Sequence, residues 1–199
     1  MGDRSQRDLC EFLEMLNLAA SRITTDYFKP VALTTDSVEP QHIWRERVYC
    51  YELYHHLRCL LGDRGSRRLF GEMDKVGNSR YVRKNGNGRV PDFIWHEPGT
   101  STNWAAIGVK TCAQIDTIST TLSALQHYLD SWKYQMVVLY IIGTQDGDNV
   151  YDQVHQKLHD KSNKKLKEKL QVLWHRSVGH GLCRIKAVPA PLPRSLPEC

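Results

Sequence analysis

Asp92 and Lys110 are the residues of this sequence around which chemistry is most readily built. Asp92 follows Pro91 within a strand-like run, Val90 to His96, and Lys110 stands near the end of another, Trp104 to Thr111. Side chains alternate along a strand, so Gly108 and Lys110 share one face while Ala105, Ile107 and Val109 share the other. That second face is wholly apolar and belongs in a core. A lysine carried by such a strand is costly unless it is paired or chemically employed. Metal-dependent phosphodiester hydrolysis employs these residue types. Carboxylates hold Mg²⁺ or Mn²⁺, the metal polarises the phosphate and acidifies the attacking water, and a lysine orients that water or neutralises developing charge. Glu72, on a short strand candidate, is a further acid for such a shell.

Each residue has a plainer role open to it. Asp92 after a proline suits a turn, and Lys110 suits a strand end reaching solvent. Glu72 suits a surface charge, and Glu52 a pairing with Arg47 or Arg58. His96 shares a strand face with Asp92 and reads as a structural histidine. His155 and His159 are four apart on a helix, but no third ligand accompanies them, so a solvated face is expected there.

The elements that must position these residues follow from periodicity. Asp8 to Arg22 predicts an amphipathic helix, and a loop rich in Thr and Pro follows from Thr24 to Pro40. Ile43 to Leu61 predicts a second helix, with Cys50, Leu53, Leu57, Leu60 and Leu61 at helical spacing before Gly62. Leu69 to Met73, Val90 to His96 and Trp104 to Thr111 predict three strands, with a turn at Asn85-Gly86-Asn87-Gly88. Ile115 to Trp132 predicts a helix, and Tyr134 to Ile142 a strand covered on both faces. Val150 to Leu170 predicts one long basic helix; Val172 to Trp174 and Leu182 to Val188 predict closing strands before a proline-rich tail. This order gives a mixed sheet flanked by helices, an α/β sandwich in one domain over 1–199 with its core at 43–188 and an extended tail at 189–199.

Pro91-Asp92 followed by Gly108-Val109-Lys110 resembles the motif of the PD-(D/E)xK, or restriction-endonuclease-like, nuclease superfamily. Tyr49 to Arg58, Gly71 to Lys75 and Pro91 to Gly99 look like the stretches around that motif in bacterial members, and the likeness spans Arg45 to Gly143. The resemblance implies an α-β-β-β-α-β core and Mg²⁺-dependent (or Mn²⁺-dependent) endonuclease hydrolysis of DNA or RNA. It implies Asp92, Glu72 and Glu52 as metal ligands, Lys110 as catalytic lysine, and a setting such as bacterial defence or repair, with targeting by a protein partner or a homodimer. One departure stands out. The family has Asp or Glu two residues before the lysine, and here Gly108 marks a missing carboxylate. Three readings are open: a relocated acid such as Asp116 or Glu72, a catalytically dead module that binds nucleic acid or a protein partner, or an inactivating substitution that Gly108→Glu would reverse.

Composition limits the alternatives. Hydrophobic residues at 41% and charged residues at 25% exclude a disordered or fibrous chain. No apolar run approaches a membrane span, and the polar first residues predict no secretory signal, so a cytoplasmic, reduced setting is expected for the six cysteines. A net charge of +5 favours anionic partners weakly, so the placement of the basic residues matters more. Arg67, Arg68, Arg83 and Lys84 surround the proposed site in sequence, and Lys164 and Lys165 belong to a run of six lysines from Lys157 to Lys169. These predict salt-sensitive contact with phosphates.

Overall fold

The computed structural model describes residues 2–29, 31–32, 41–42, 45–62, 66–71, 91–144, 150–161 and 164–184. Helix α1 (Gly2–Ser21) is followed by the short helix α2 (Thr25–Phe28), the strand pair β1 (Val31–Ala32) and β2 (Gln41–His42), and helix α3 (Glu46–Leu61). In α1, Leu9, Phe12, Leu13, Leu16, Ala19 and Ala20 recur three and four apart and all are buried, the stripe that docks a helix on a core. In α3, Tyr49, Cys50, Leu53 and Leu57 form the matching stripe. It ends at Gly62, whose φ of 58° lies in the left-handed region that glycine enters without strain.

Six further strands build one sheet in the order β3 (Arg68–Phe70), β4 (Phe93–His96), β5 (Asn103–Thr111), β6 (Met136–Ile142), β7 (Leu170–His175) and β8 (Cys183–Arg184). The first three form an antiparallel meander, β5, β6 and β7 run parallel, and β8 returns antiparallel. Parallel neighbours require a crossover. Helix α4 (Ile118–Ser131) supplies the first, and α5 (Val150–Lys161) with α6 (Lys164–Lys169) the second. The result is the expected mixed α/β sheet with helices on both faces. Every residue of β6 and β7 is buried, as central strands covered on both sides must be. On one face α1, α2 and α3 pack through Phe12, Phe28 and Leu53 against Trp95, Ile107, Val109 and Tyr140. On the other, α4, α5 and α6 pack through Leu122, Val154 and Leu166 against Ala106, Leu139 and Trp174.

Several expectations need correction. The long helix Val150 to Leu170 is two helices, and Leu170 opens β7 instead of closing a helix. Pairing of Leu170 with Val137 of β6 draws that residue into the sheet. The helix expected from Ile115 begins at Ile118, after a 3-10 segment (Cys112–Thr117) broken at Gln114, where φ is −106° and ψ is 18°. The loop after α1 contains α2, which the Thr- and Pro-rich composition concealed. Cys10, Cys50, Cys59 and Cys112 are free thiols, but Cys183 is disulfide-bonded, against the expectation of reduced thiols throughout. The turn at residues 85–88 and the tail at 189–199 lie outside the described residues. Among the described residues no helix is long and apolar enough to cross a membrane.

Candidate functional site at the end of the parallel strands

Phe93 pairs with Ile107 across the antiparallel β4–β5 ladder, so Asp92 lies opposite Gly108 and beside Lys110. The parallel pairing of β5 with β6 and β7 brings the carboxyl ends of three strands to this same edge. That is the end at which open α/β sheets commonly bind ligands. The expected pair is therefore gathered at one end of the sheet.

Asp92 is held twice by β5. Its amide donates to the Ile107 carbonyl at 2.9 Å, and its Oδ2 accepts from the Val109 N–H at 2.6 Å. The preceding Pro91 has no N–H with which to continue a ladder. The aspartate side chain thus satisfies a strand amide where β4 has yet to begin.

Lys110 donates to both carboxylate oxygens of Glu46, each at 3.0 Å. The two side chains are only 22% and 24% exposed, so the pair is better shielded than a surface ion pair. Glu46 is the first residue of α3, where the positive end of the helix dipole also favours its charge. Strand alternation assigns Lys110 to the face that α4 covers, yet its ammonium ends on α3, which packs on the other face. This pairing meets the expectation that a lysine on this strand needs a partner. Glu46 was missed by sequence reasoning, although an acid opening a helix one turn before its apolar stripe was a usable signal.

Glu52 stands elsewhere. It lies six positions beyond Glu46, about 240° around a helix of 3.6 residues per turn, and its carboxylate is 3.2 Å from Nε2 of His56 on the same helix. Gly108 points at α4. A Cβ built there would lie 2.9 Å from Cγ2 of Thr121 and 3.8 Å from Cδ2 of Leu125, so a side chain at this position requires Thr121 to shift. Glu72 lies outside the described residues, as does the side chain of Asp116, whose backbone sits in the 3-10 segment after β5. Among the described residues no three His, Cys, Asp or Glu side chains converge on a metal position. Of the two acids here, Asp92 is bonded to β5 and Glu46 to Lys110 on both oxygens. The described residues therefore do not fit Mg²⁺ or Mn²⁺.

The proposed phosphate contacts are scattered. Arg68 faces His96 across β3 and β4, at the end of the sheet opposite Asp92. The neighbouring Arg67 lies 3.3 Å from Asp8, with its guanidinium 5.1 Å from the ring centres of both Trp95 and Trp104. Arg68 donates to the Arg67 carbonyl at 2.9 Å. Lys165 donates to the Leu129 carbonyl and to Asp130, each at 2.8 Å, which ties α6 to the end of α4. Lys164 is largely exposed, 3.9 Å from Glu168. Arg83 and Lys84 lie outside the described residues. His96 is partly buried against Phe70, and burial lowers its pKa.

Behind the Glu46–Lys110 pair lies a buried polar chain that the sequence did not suggest. The Tyr49 hydroxyl is 2.5 Å from that of Tyr140 and 2.6 Å from Nδ1 of His175. Burial pushes both phenol pKa values up. It pushes the His175 imidazole down to about 4, with the backbone of His180 and Ser177 partly offsetting the shift. A neutral imidazole that accepts a phenol proton at Nδ1 suits this environment.

No protein-family model, curated protein or solved structure matches this chain.

Proposed function

We propose that this chain is a restriction-endonuclease-like module of the PD-(D/E)xK superfamily that engages nucleic-acid phosphates without cleaving them. The order of α3, β3, β4, β5, α4 and β6, with Asp92 and Lys110 at one sheet end, supports the superfamily. The observation that carries the loss of hydrolysis is Gly108. The position where the superfamily places a carboxylate has no side chain, and a Cβ there would meet Thr121 Cγ2 of α4 at 2.9 Å, so that a side chain requires Thr121 to shift. Lys164, largely exposed beside Glu168, is one described lysine open to a phosphate.

A second reading, a Mg²⁺-dependent endonuclease, is favoured by Asp92 and Lys110 lying at the same end of adjacent strands. It requires metal ligands from beyond the described side chains, with Glu72 and Asp116 the candidates. The two readings part in one experiment. The full chain is incubated with plasmid, and with single- and double-stranded oligonucleotides, in Mg²⁺ or Mn²⁺, while binding is followed across a salt series. Salt-sensitive binding without cleavage is expected. Robust cleavage would establish the second reading. Failure to bind any of these polymers at low salt would remove both and leave a protein partner.

A further inference from the structure

The superfamily's metal and this chain's contacts compete for the same place, and the contacts resolve that competition. Both oxygens of Glu46 lie 3.0 Å from the Lys110 ammonium. A divalent ion on those oxygens, at ~2.0–2.1 Å as Mg²⁺ demands, would sit directly against a fixed positive charge. The pair is mostly shielded from solvent, so water screens that repulsion weakly. Glu46 is the opening residue of a 16-residue helix whose stripe is buried in the core, so its backbone is fixed and its carboxylate is held by the bond to Lys110. The second acid at this edge, Asp92, is spent on the Val109 amide.

We propose that Lys110 is the site's own counter-cation, its ammonium clamped by Glu46 in the place a divalent metal would need, so that the site takes no metal while Lys110 is present. This rests on the reading of the chain as a nuclease-fold module, and it deepens that reading. The residue that the superfamily uses as a catalytic lysine here closes the site. The ion pair thus does locally what a bound metal would otherwise do, compensating the acid that opens α3. Removing the lysine would leave Glu46 uncompensated beside the Asp92 end of β4, and one or two carboxylates completed by water are the usual shell for Mg²⁺.

The test is Mn²⁺ binding, read by calorimetry and by the loss of the free-ion electron paramagnetic resonance signal, on the full chain. The wild type and Lys110→Arg, which keeps the charge, should show no saturable site below millimolar Mn²⁺. Lys110→Met should gain one site, at least tenfold tighter than any wild-type binding, and Glu46→Gln in that background should abolish it. If Lys110→Met does not fold, Lys110→Gln retains a donor to Glu46 and is titrated instead. Saturable Mn²⁺ binding by the wild type would overturn the proposal, and so would the absence of a new site in a folded Lys110→Met or Lys110→Gln chain. Cleavage assays on the same samples separate this outcome from the functional reading, because a metal-free wild type that still hydrolyses DNA would sink only the latter.

Discussion

The Tyr49 hydroxyl and Nδ1 of His175 meet at 2.6 Å in the core although 126 positions separate them in the chain. The contact joins the first turns of α3 to the end of β7, and through Tyr140 to the end of β6. It holds α3 over the ends of the parallel strands, and so fixes where Glu46 can stand relative to Lys110.

Burial of His175 makes stability depend on pH. The His175 pKa falls from an ordinary 6.5 to about 4 in the folded chain. Between those values the unfolded chain binds a proton that the folded chain refuses, so stability falls as pH drops through this window and levels off below about 4. At ~1.36 kcal/mol per pH unit the full effect is about 3 kcal/mol. Urea unfolding at pH 7 and pH 5 should show the loss in the wild type and a flatter response in His175→Phe. Equal pH slopes in the two proteins would mean that the fold does not lower the His175 pKa.

Asp92 carries a structural load whatever chemistry it serves. Its carboxylate satisfies the Val109 amide at 2.6 Å, in a residue that is fully buried. Asp92→Ala leaves that donor unpaired, a loss of ~1–3 kcal/mol. Asp92→Asn keeps an acceptor and should lose less. Denaturant midpoints rank the three proteins, and hydrogen exchange at the Val109 amide should accelerate in the alanine variant alone. An alanine variant as stable as the parent would show that the bond contributes nothing and return Asp92 to a purely functional role.

What could be read in advance was whatever the sequence repeats locally. The stripe of α3, the apolar face of β5 at Ala105, Ile107 and Val109, and the unbroken apolar run of β6 each declare their element through spacing within a few residues. The pairings that decide the site are of another kind. Glu46 lies 64 positions from Lys110, and nothing near either residue names the other. Glu52 drew attention because it sits within the recognisable Tyr49 to Arg58 stretch, yet helix geometry turns it to another side. The end of the lysine-rich helix was hidden for a related reason. Lysines from Lys164 to Lys169 suit a helix, while Leu170 belongs to the sheet only because β6 stands beside it to pair with.

Gly108 is the position at which the structure most alters the expectation drawn from sequence. Two residues from Lys110, it invites Gly108→Glu as the repair of a missing ligand. The backbone there sends a Cβ to within 2.9 Å of Thr121 Cγ2, and Thr121 is a β-branched residue on a helix, stiff about χ1. Gly108→Ala should therefore destabilise by ~1–3 kcal/mol through overpacking, less the few tenths or more that alanine recovers by restricting the unfolded chain. Thr121→Ser, which deletes Cγ2 and keeps the hydroxyl, should rescue most of that loss in the double variant, so the two effects should be clearly non-additive. Gly108→Glu adds to the same collision a carboxylate directed at Leu125, which is 1% exposed, and burying an unpaired charge is costlier still. It should lower the denaturant midpoint further and leave cleavage at background in Mg²⁺ and Mn²⁺. A Gly108→Ala chain as stable as the parent would mean that α4 yields readily and that the glycine is not there for packing. Cleavage gained by a well-folded Gly108→Glu would restore the missing-carboxylate reading and make the sheet end an active site one substitution away.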